Sequence, residues 1–351
     1  MNPPDAPARM INELLNHPDF AASVVGRQLR EQPLGFIDVG ARGGVHKIIE
    51  PLAGATAVMG FEPDVDEAAR LQSLMASSPF AHYIVEPVAL AADDGDAVLH
   101  LTSSAVNSSL RSPNPDFVKR FAMTGFDVVK KIPLRTTSLD KVFQTSPNAA
   151  VCRADFIKID TQGTELEILQ GATKTLEEKT VCLLVELEFF QMYLGEATFS
   201  EVEQWLRGRG FSFYGFDVHH RSAKLLDKRK SAGRERTFFA DAIFFKDPLT
   251  AGLWKKPMPE RSLHALFTTA LLLEYYDFAL QLALETWATG DEAARIRRLV
   301  ESLAARRADR AAADVFAMAE RIRANPQRAN VEVGKFVDAR RHITDFDDIR
   351  D

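Results

Sequence analysis

Between residues 36 and 246, short apolar runs of strand length alternate with amphipathic segments, and this rhythm limits the folds open to the chain. The runs are FIDVG (36–40), TAVMGFE (56–62), YIVEPVAL (83–90), AVLHLT (97–102), ADFIKID (154–160), VCLLVELE (181–188), FSFYGFD (211–217) and FFADAIFFK (238–246). Helical patterns separate several of them. DEAARLQSLMA follows the second run, ELEILQGATKTLEE follows ADFIKID, and FSEVEQWLRGRG follows VCLLVELE. Strands alternating with helices of this length predict an α/β fold with a largely parallel sheet. CLLVEL is apolar at successive positions, as a central strand covered on both faces requires. The last two runs lack a long helix between them, which predicts an antiparallel edge.

A chain of 351 residues has room for about two domains. The expected organisation is a helical leader over 1–33, an α/β domain over 34–250 and a helical extension over 251–351. The extension is entered through DPLTAGLWKKPMPERS (247–262) and carries helical patterns at 263–288, 291–307 and 308–324. DEAARIRRLVESLAARR opens with acids and ends in arginines, which suits the helix dipole. This tail is poor in catalytic residue types, so a helical cap or a homodimer contact is expected of it. Its most apolar stretch, LHALFTTALLLEYYDFALQLAL, contains Glu274 and Asp277. Those charges favour a buried soluble helix over a membrane span.

The N-terminal MNPPDAPARM lacks the apolar core of a signal peptide. Cys152 and Cys182 have neither metal-ligand nor disulfide spacing. A reducing, cytoplasmic location is expected. The formal net charge of −6 argues against a nucleic-acid partner. The basic cluster KRKSAGRER (228–236) reads as a solvated loop or hairpin.

In open α/β sheets the ligand crevice lies beyond the carboxyl ends of the strands. Asp38 and Gly40 stand at such an end, followed by a loop in which Gly43 and Gly44 permit close backbone approach. The spacing G-A-R-G-G departs from the dinucleotide fingerprint G-x-G-x-x-G. Glu62 ends the next strand, 22 residues beyond Gly40, where an acid can accept hydrogen bonds from both ribose hydroxyls. On these residues NAD and S-adenosylmethionine remain equal candidates. Ala89 and Leu90 close a later strand, where backbone groups could meet an adenine edge. Asn107, Ser108 and Ser109 form a polar loop, either a plain turn or a contact for a polar cofactor tail.

IDTQGTELEIL (159–169) is the most informative segment. Asp160 ends a strand, Gly163 allows a sharp bend, and Thr161 or Thr164 could cap the helix. Lys158 shares the side of the strand on which Asp160 lies. A lysine and an acid on a mainly apolar strand need partners or a functional site. Glu186 and Glu188 share one face of the next strand by the same period of two. His46, after the glycine loop, could approach a substrate. No histidine has spacing that supports a metal site, so none is expected.

FIDVGARGG, GFEPD, VALAADDG, NSSL, TTSLDKV, FIKIDTQGTELEILQGA and LLVELEF, in this order, resemble the FkbM family of S-adenosyl-L-methionine-dependent methyltransferases. The likeness covers residues 34–247. It implies a Rossmann-like class I methyltransferase fold with a seven-stranded sheet and the cofactor over its first strands. By that likeness Asp38, Gly40, Ala41 and Gly43 would hold the methionine moiety, Glu62 the ribose, and the loop Asn107–Ser109 would close near the cofactor. Two residues depart from the family pattern. Arg42 stands where a small polar residue is usual, and Gln162 where an acid is usual. The family implies O-methylation of sugars, glycan precursors or natural-product hydroxyls.

A hydroxyl acceptor gains from a base as its charge develops. Asp160 is the first candidate, followed by Glu188, Glu186 and His46. The alternatives are an NAD-dependent oxidoreductase and a non-catalytic cofactor-binding scaffold.

Overall fold

Alternating side chains along each central strand decide how the sheet is covered. In the computed structural model, which describes residues 10–231, 233–250 and 257–340, ten strands form. They are β1 (Leu34–Val39), β2 (Thr56–Phe61), β3 (His82–Glu86), β4 (Ala89–Leu90), β5 (Gly95–Thr102), β6 (Val128–Thr137), β7 (Phe156–Ile159), β8 (Cys182–Glu188), β9 (Ser212–Arg221) and β10 (Arg236–Phe245). Seven of them make one sheet in the order β3-β2-β1-β7-β8-β10-β9. The first five in that order are parallel, and β10 runs antiparallel to both β8 and β9. The expected parallel sheet with an antiparallel edge is therefore the observed one. Chain order reverses between β1 and β7, which creates the crevice typical of such sheets.

Leu34, Phe36, Val58, Phe156 and Leu184 point to one face, where Phe20, Val25 and Leu29 of the leader join Leu266, Phe267 and Leu282 of the extension. Ile37, Val39, Met59, Ile157 and Val185 point to the other, under Val142, Ile168, Leu169 and Val202. Helix Glu260–Leu272 is the deepest part of the first layer, with ten buried residues. Its Arg261 Nη2 donates to Asp155 Oδ2 at 2.8 Å and to the Pro33 carbonyl at 3.0 Å. Asp155 in turn accepts from the Gly35 amide at 2.8 Å. Residues 1–9 of the leader, 251–256 of the connector and 341–351 of the extension lie outside the described residues.

Three readings of the sequence are corrected. The run at 83–90 breaks after Glu86, at Pro87, and Ala89–Leu90 joins a separate sheet of order β4-β6-β5. That sheet also takes AVLHLT, together with β6, whose sequence VVKKIPLRTT is exposed throughout its first four residues and alternates only from Ile132 on. Proline is tolerated in β6 because Pro133 lies where only β5 flanks it. The partner β4 pairs no further than Thr136 and Thr137. The pattern at 263–288 is two helices, Glu260–Leu272 and Tyr276–Thr286. Glu274 turns the chain between them at φ +67°. Among the described residues no helix is long and apolar enough to cross a membrane.

Candidate active site

The carboxyl ends of β1, β2, β7 and β8, with the first part of the antiparallel β10, bring a set of charged side chains to one edge of the sheet. Asp38 and Lys158 are register partners on β1 and β7, so both leave the sheet on the same face. Lys158 Nζ lies 3.5 Å from Asp38 Oδ1, from Asp160 Oδ2 and from the Gly40 carbonyl. Burial works against its charge, but the Asp160 and Asp38 carboxylates outweigh it and raise the lysine pKa. Asp38 is itself buried, and its Oδ2 accepts from the His46 amide at 2.9 Å.

The glycine loop is built against β7. Gly40 has φ +79°, and a Cβ there would meet the Asp160 carbonyl at 2.0 Å. The amides of Gly40 and Ala41 donate to the Phe61 carbonyl at 3.2 and 3.1 Å. The Gly43 amide donates to Glu67 Oε1 at 2.8 Å. Arg42 neither reaches across the crevice nor points to solvent. Its Nη2 is 2.7 Å from Asp64 Oδ2 and 3.4 Å from Glu62 Oε1. Glu62 is buried, and its Oε1 also accepts from the Asp64 amide at 2.8 Å. Burial pushes the Glu62 carboxyl up from its ordinary value against these contacts.

After β7 the chain makes a tight turn. Gln162 has φ +64°, a left-handed conformation uncommon for a side chain of its size. Gly163 follows at φ +105°, where a Cβ would stand 2.7 Å from Glu196 Oε2. Neither threonine hydroxyl caps the helix Glu165–Gln170. Instead Glu165 Oε1 accepts from the Thr161 amide at 2.9 Å, and its Oε2 accepts from the Gly163 amide at 3.0 Å. The Gln162 carboxamide faces the crevice edge. Its Nε2 donates to Asp160 Oδ1 at 2.8 Å and to Glu186 Oε1 at 2.7 Å. The Tyr193 hydroxyl lies 2.9 Å from Gln162 Oε1 and 2.9 Å from the Asn107 carbonyl. Ser109 Oγ donates to the Gln162 carbonyl at 2.6 Å.

These contacts separate the titration of neighbouring acids. Burial opposes ionisation of Asp160, but the Lys158 charge and the Gln162 hydrogen bond hold its pKa below the ordinary value. Glu186 goes the other way. Burial and the charges of Asp160 and Asp241 push it well above the usual range. Asp241, the register partner of Glu186 and of Asp217, rises to about 7 through burial and the charges of Asp160 and Asp217. Two acids of opposed character at one edge are the arrangement that acid–base chemistry uses.

A cleft of about 780 Å³ of empty space, part of it open solvent, lies beside this edge. Of the residues singled out in the sequence, Gly40, Glu62, Ala89, Ser108 and Asp160 line it, as do Arg42, Thr161 and Gln162. Asp38 and Ala41 lie beneath the loop and are buried. Gly43 is on its exposed outer side. Asn107 faces away, donating from Nδ2 to the Gly125 carbonyl at 3.1 Å. His46 caps the segment Lys47–Ala55, accepting from the Ile48 amide at 3.3 Å. Glu188 is fully buried, and neither of its carboxyl oxygens has a hydrogen-bond partner. Burial and the neighbouring Glu165 and Glu196 keep its pKa well above the ordinary value. Among the described residues no group of three His, Cys, Asp or Glu side chains is placed to hold a metal ion.

Gln162 as a hub, Tyr193 and Asp241 were not singled out in the sequence. Asp241 had a usable signal, an acid inside the apolar strand FFADAIFF. Tyr193 had none.

A family model described as the methyltransferase FkbM domain matches residues 38–213. Among solved structures the chain is similar to methyltransferase FkbM from Methylobacillus flagellatus KT, at 15% identity and a TM-score of 0.36. The similarity covers 61% of this chain and 44% of that one, so this chain spans less than half of that relative. No curated protein matches.

Proposed function

The chain belongs to the FkbM methyltransferase family, and on that premise we propose that it moves a methyl group from S-adenosylmethionine to a hydroxyl of a sugar, glycan precursor or small natural product. The residues present suit this cofactor. The cleft has the acid Glu62 on one side and Asp160 on the other, and Asp38 Oδ1 is buried beside Lys158 without a hydrogen bond. Gly43 and Gly44 have open space around them, which leaves that part of the loop backbone unobstructed. In this reading Asp38, Gly40, Ala41 and Gly43 shape the methionine end, Glu62 holds the ribose, Ala89 borders the base, and the loop of Asn107 and Ser108 closes the site.

When bound, S-adenosylmethionine supplies an electrophilic methyl group on a sulfonium. The protein has to align the acceptor and take up a proton. Asp160 is the group we assign to the proton. It lines the cleft, stays ionised beside Lys158, and is held in direction by Gln162. This one arrangement carries the reading. His46 and Glu188 rank behind it, because His46 is spent on capping and Glu188 is closed off from the cleft.

The same proposal assigns residues 34–250 to the transferase domain and contact between two copies to the last helices. Ala311–Ala324 buries none of its residues, while Phe316 is 71% exposed.

Titration calorimetry with S-adenosylmethionine and, separately, NAD tests the premise. Binding of the first alone is expected, and binding of NAD alone would overturn the reading. A labelled-methyl assay over a pool of sugars and hydroxylated metabolites then tests the chemistry. Cofactor binding with no transfer to any pool would favour a binding scaffold.

A further inference from the structure

The hairpin between β9 and β10 has a surface unlike that of the chain as a whole. The chain carries a net charge of −6, yet residues 221–236 hold seven basic side chains against two acids. Four and five residues past β9 two neighbouring leucines stand in solvent, Leu225 at 88% and Leu226 at 73% exposure. A loop kept only for solubility has no use for two adjacent exposed leucines. After Asp227 come Lys228, Arg229 and Lys230, all exposed, with Lys228 2.7 Å from Glu235 and Arg229 2.8 Å from Asp227 in surface pairs that solvent leaves weak.

The hairpin has a fixed position relative to the cleft. β10 starts where β8 ends, since Phe239 pairs with Glu188. The hairpin therefore extends from the same sheet edge that carries Asp160 and Glu186. It is also held to its neighbours. Lys224 Nζ donates to the Ala122 carbonyl at 3.0 Å, and the Arg236 guanidinium lies 3.7 Å from the centre of the Phe190 ring. Asn330 Nδ2 donates to the Lys228 carbonyl at 3.2 Å.

We propose that this hairpin docks the protein on an anionic phospholipid surface. The leucines enter the headgroup region and the cations meet the lipid phosphates, which turns the cleft edge toward the bilayer. Apolar insertion and electrostatic attraction act together at such interfaces, and neither suffices alone. The two signals lie side by side here. A nucleic-acid contact would use the cations and leave the leucines without a role. The proposal stands independently of the methyl-transfer reading, although a docked cleft would favour an acceptor presented at the membrane surface.

Flotation of the full chain with vesicles tests it, without acceptor or cofactor. One set is phosphatidylcholine alone, and the other contains about one quarter phosphatidylglycerol. Partition onto the anionic vesicles is expected to exceed that onto neutral ones by at least about tenfold. The variant Lys228→Glu/Arg229→Glu/Lys230→Glu should lose about tenfold or more. Leu225→Ser/Leu226→Ser should lose a comparable factor while keeping all its charges. Both variants alter exposed loop positions, and an unchanged melting temperature verifies their folding. Equal partition onto the two vesicle types overturns the proposal. So does a leucine variant that binds like the wild type, or an RNA oligonucleotide bound as well as the anionic vesicles with no dependence on the leucines.

Discussion

Gln162 donates its carboxamide to Asp160 at 2.8 Å, from a backbone conformation, φ +64°, that costs energy to hold. The same nitrogen reaches Glu186 at 2.7 Å, so one amide bridges the ionised Asp160 and the Glu186 carboxyl. The carboxamide orientation is set by the Tyr193 hydroxyl on its oxygen. A hydrogen bond donated to the charged form lowers an acid's pKa. In Gln162→Leu the Asp160 pKa should therefore rise, and a reaction that needs ionised Asp160 should lose its activity sooner as the pH falls. The acidic limb of the kcat profile, measured with the acceptor found in the pool assay, should move up by about one pH unit. Tyr193→Phe should move it less in the same direction. A profile merely scaled down, with its limb unmoved, would show that Gln162 serves the fold alone.

Arg42 and Glu62 test whether the glycine loop serves the cofactor. Glu62→Ala should weaken S-adenosylmethionine by about 1–3 kcal/mol, through loss of charge-assisted hydrogen bonds. Arg42 touches Glu62, the proposed ribose ligand, and its neighbour Asp64. Arg42→Ala should accordingly weaken the cofactor as well, by about 1 kcal/mol or less, and leave the acceptor KM unchanged. Calorimetry on the two variants checks both. A raised acceptor KM with intact cofactor affinity would instead assign Arg42 to the substrate.

How far the sequence reached is clearest at these positions. The parallel sheet was legible because hydrophobic periodicity is a local property, and β1, β2, β7 and β8 carry it strongly. The separate sheet β4-β6-β5 was not recognised as such, since its middle strand β6 is largely exposed and carries Pro133. Asp160 and Lys158 stood out as charges on an apolar strand, and they do meet, at 3.5 Å. The direction of Arg42 was open in the sequence, because a long side chain takes whichever acid the fold brings near. Here that is Asp64, two residues past Glu62. Tyr193 comes from a loop 31 residues from Gln162, and no local pattern encodes such a meeting.

Gly40 packs against the Asp160 carbonyl just beyond the ends of β1 and β7. An alanine there would place its Cβ 2.0 Å from the Asp160 carbonyl, at φ +79°. Backbone cannot swing aside as a side chain can, so the substitution combines a left-handed strain with a clash. Gly40→Ala should cost about 3 kcal/mol or more in urea unfolding. Gly43→Ala, also at positive φ but with open space around it, should cost only about 1–2 kcal/mol. Equal losses in the two variants would mean that the β7 contact has little weight.

Asp241 makes the fold itself sensitive to pH. Its folded pKa lies at about 7 against an ordinary 3.8, so the folded state holds this proton more tightly than the unfolded chain does. Stability from that proton is complete below the unfolded value and declines as pH rises through the folded one. The carboxylate is 35% exposed, and solvent screening reduces the effect to about 1–2 kcal/mol. Asp241→Asn should therefore be more stable than wild type at pH 8 by about that amount, with the advantage fading toward pH 4. Urea unfolding of both proteins at several pH values measures it. Parallel stability curves across that range would show that Asp241 is ionised in the fold at little cost. The charges of Asp160 and Asp217 would then not be felt at that position.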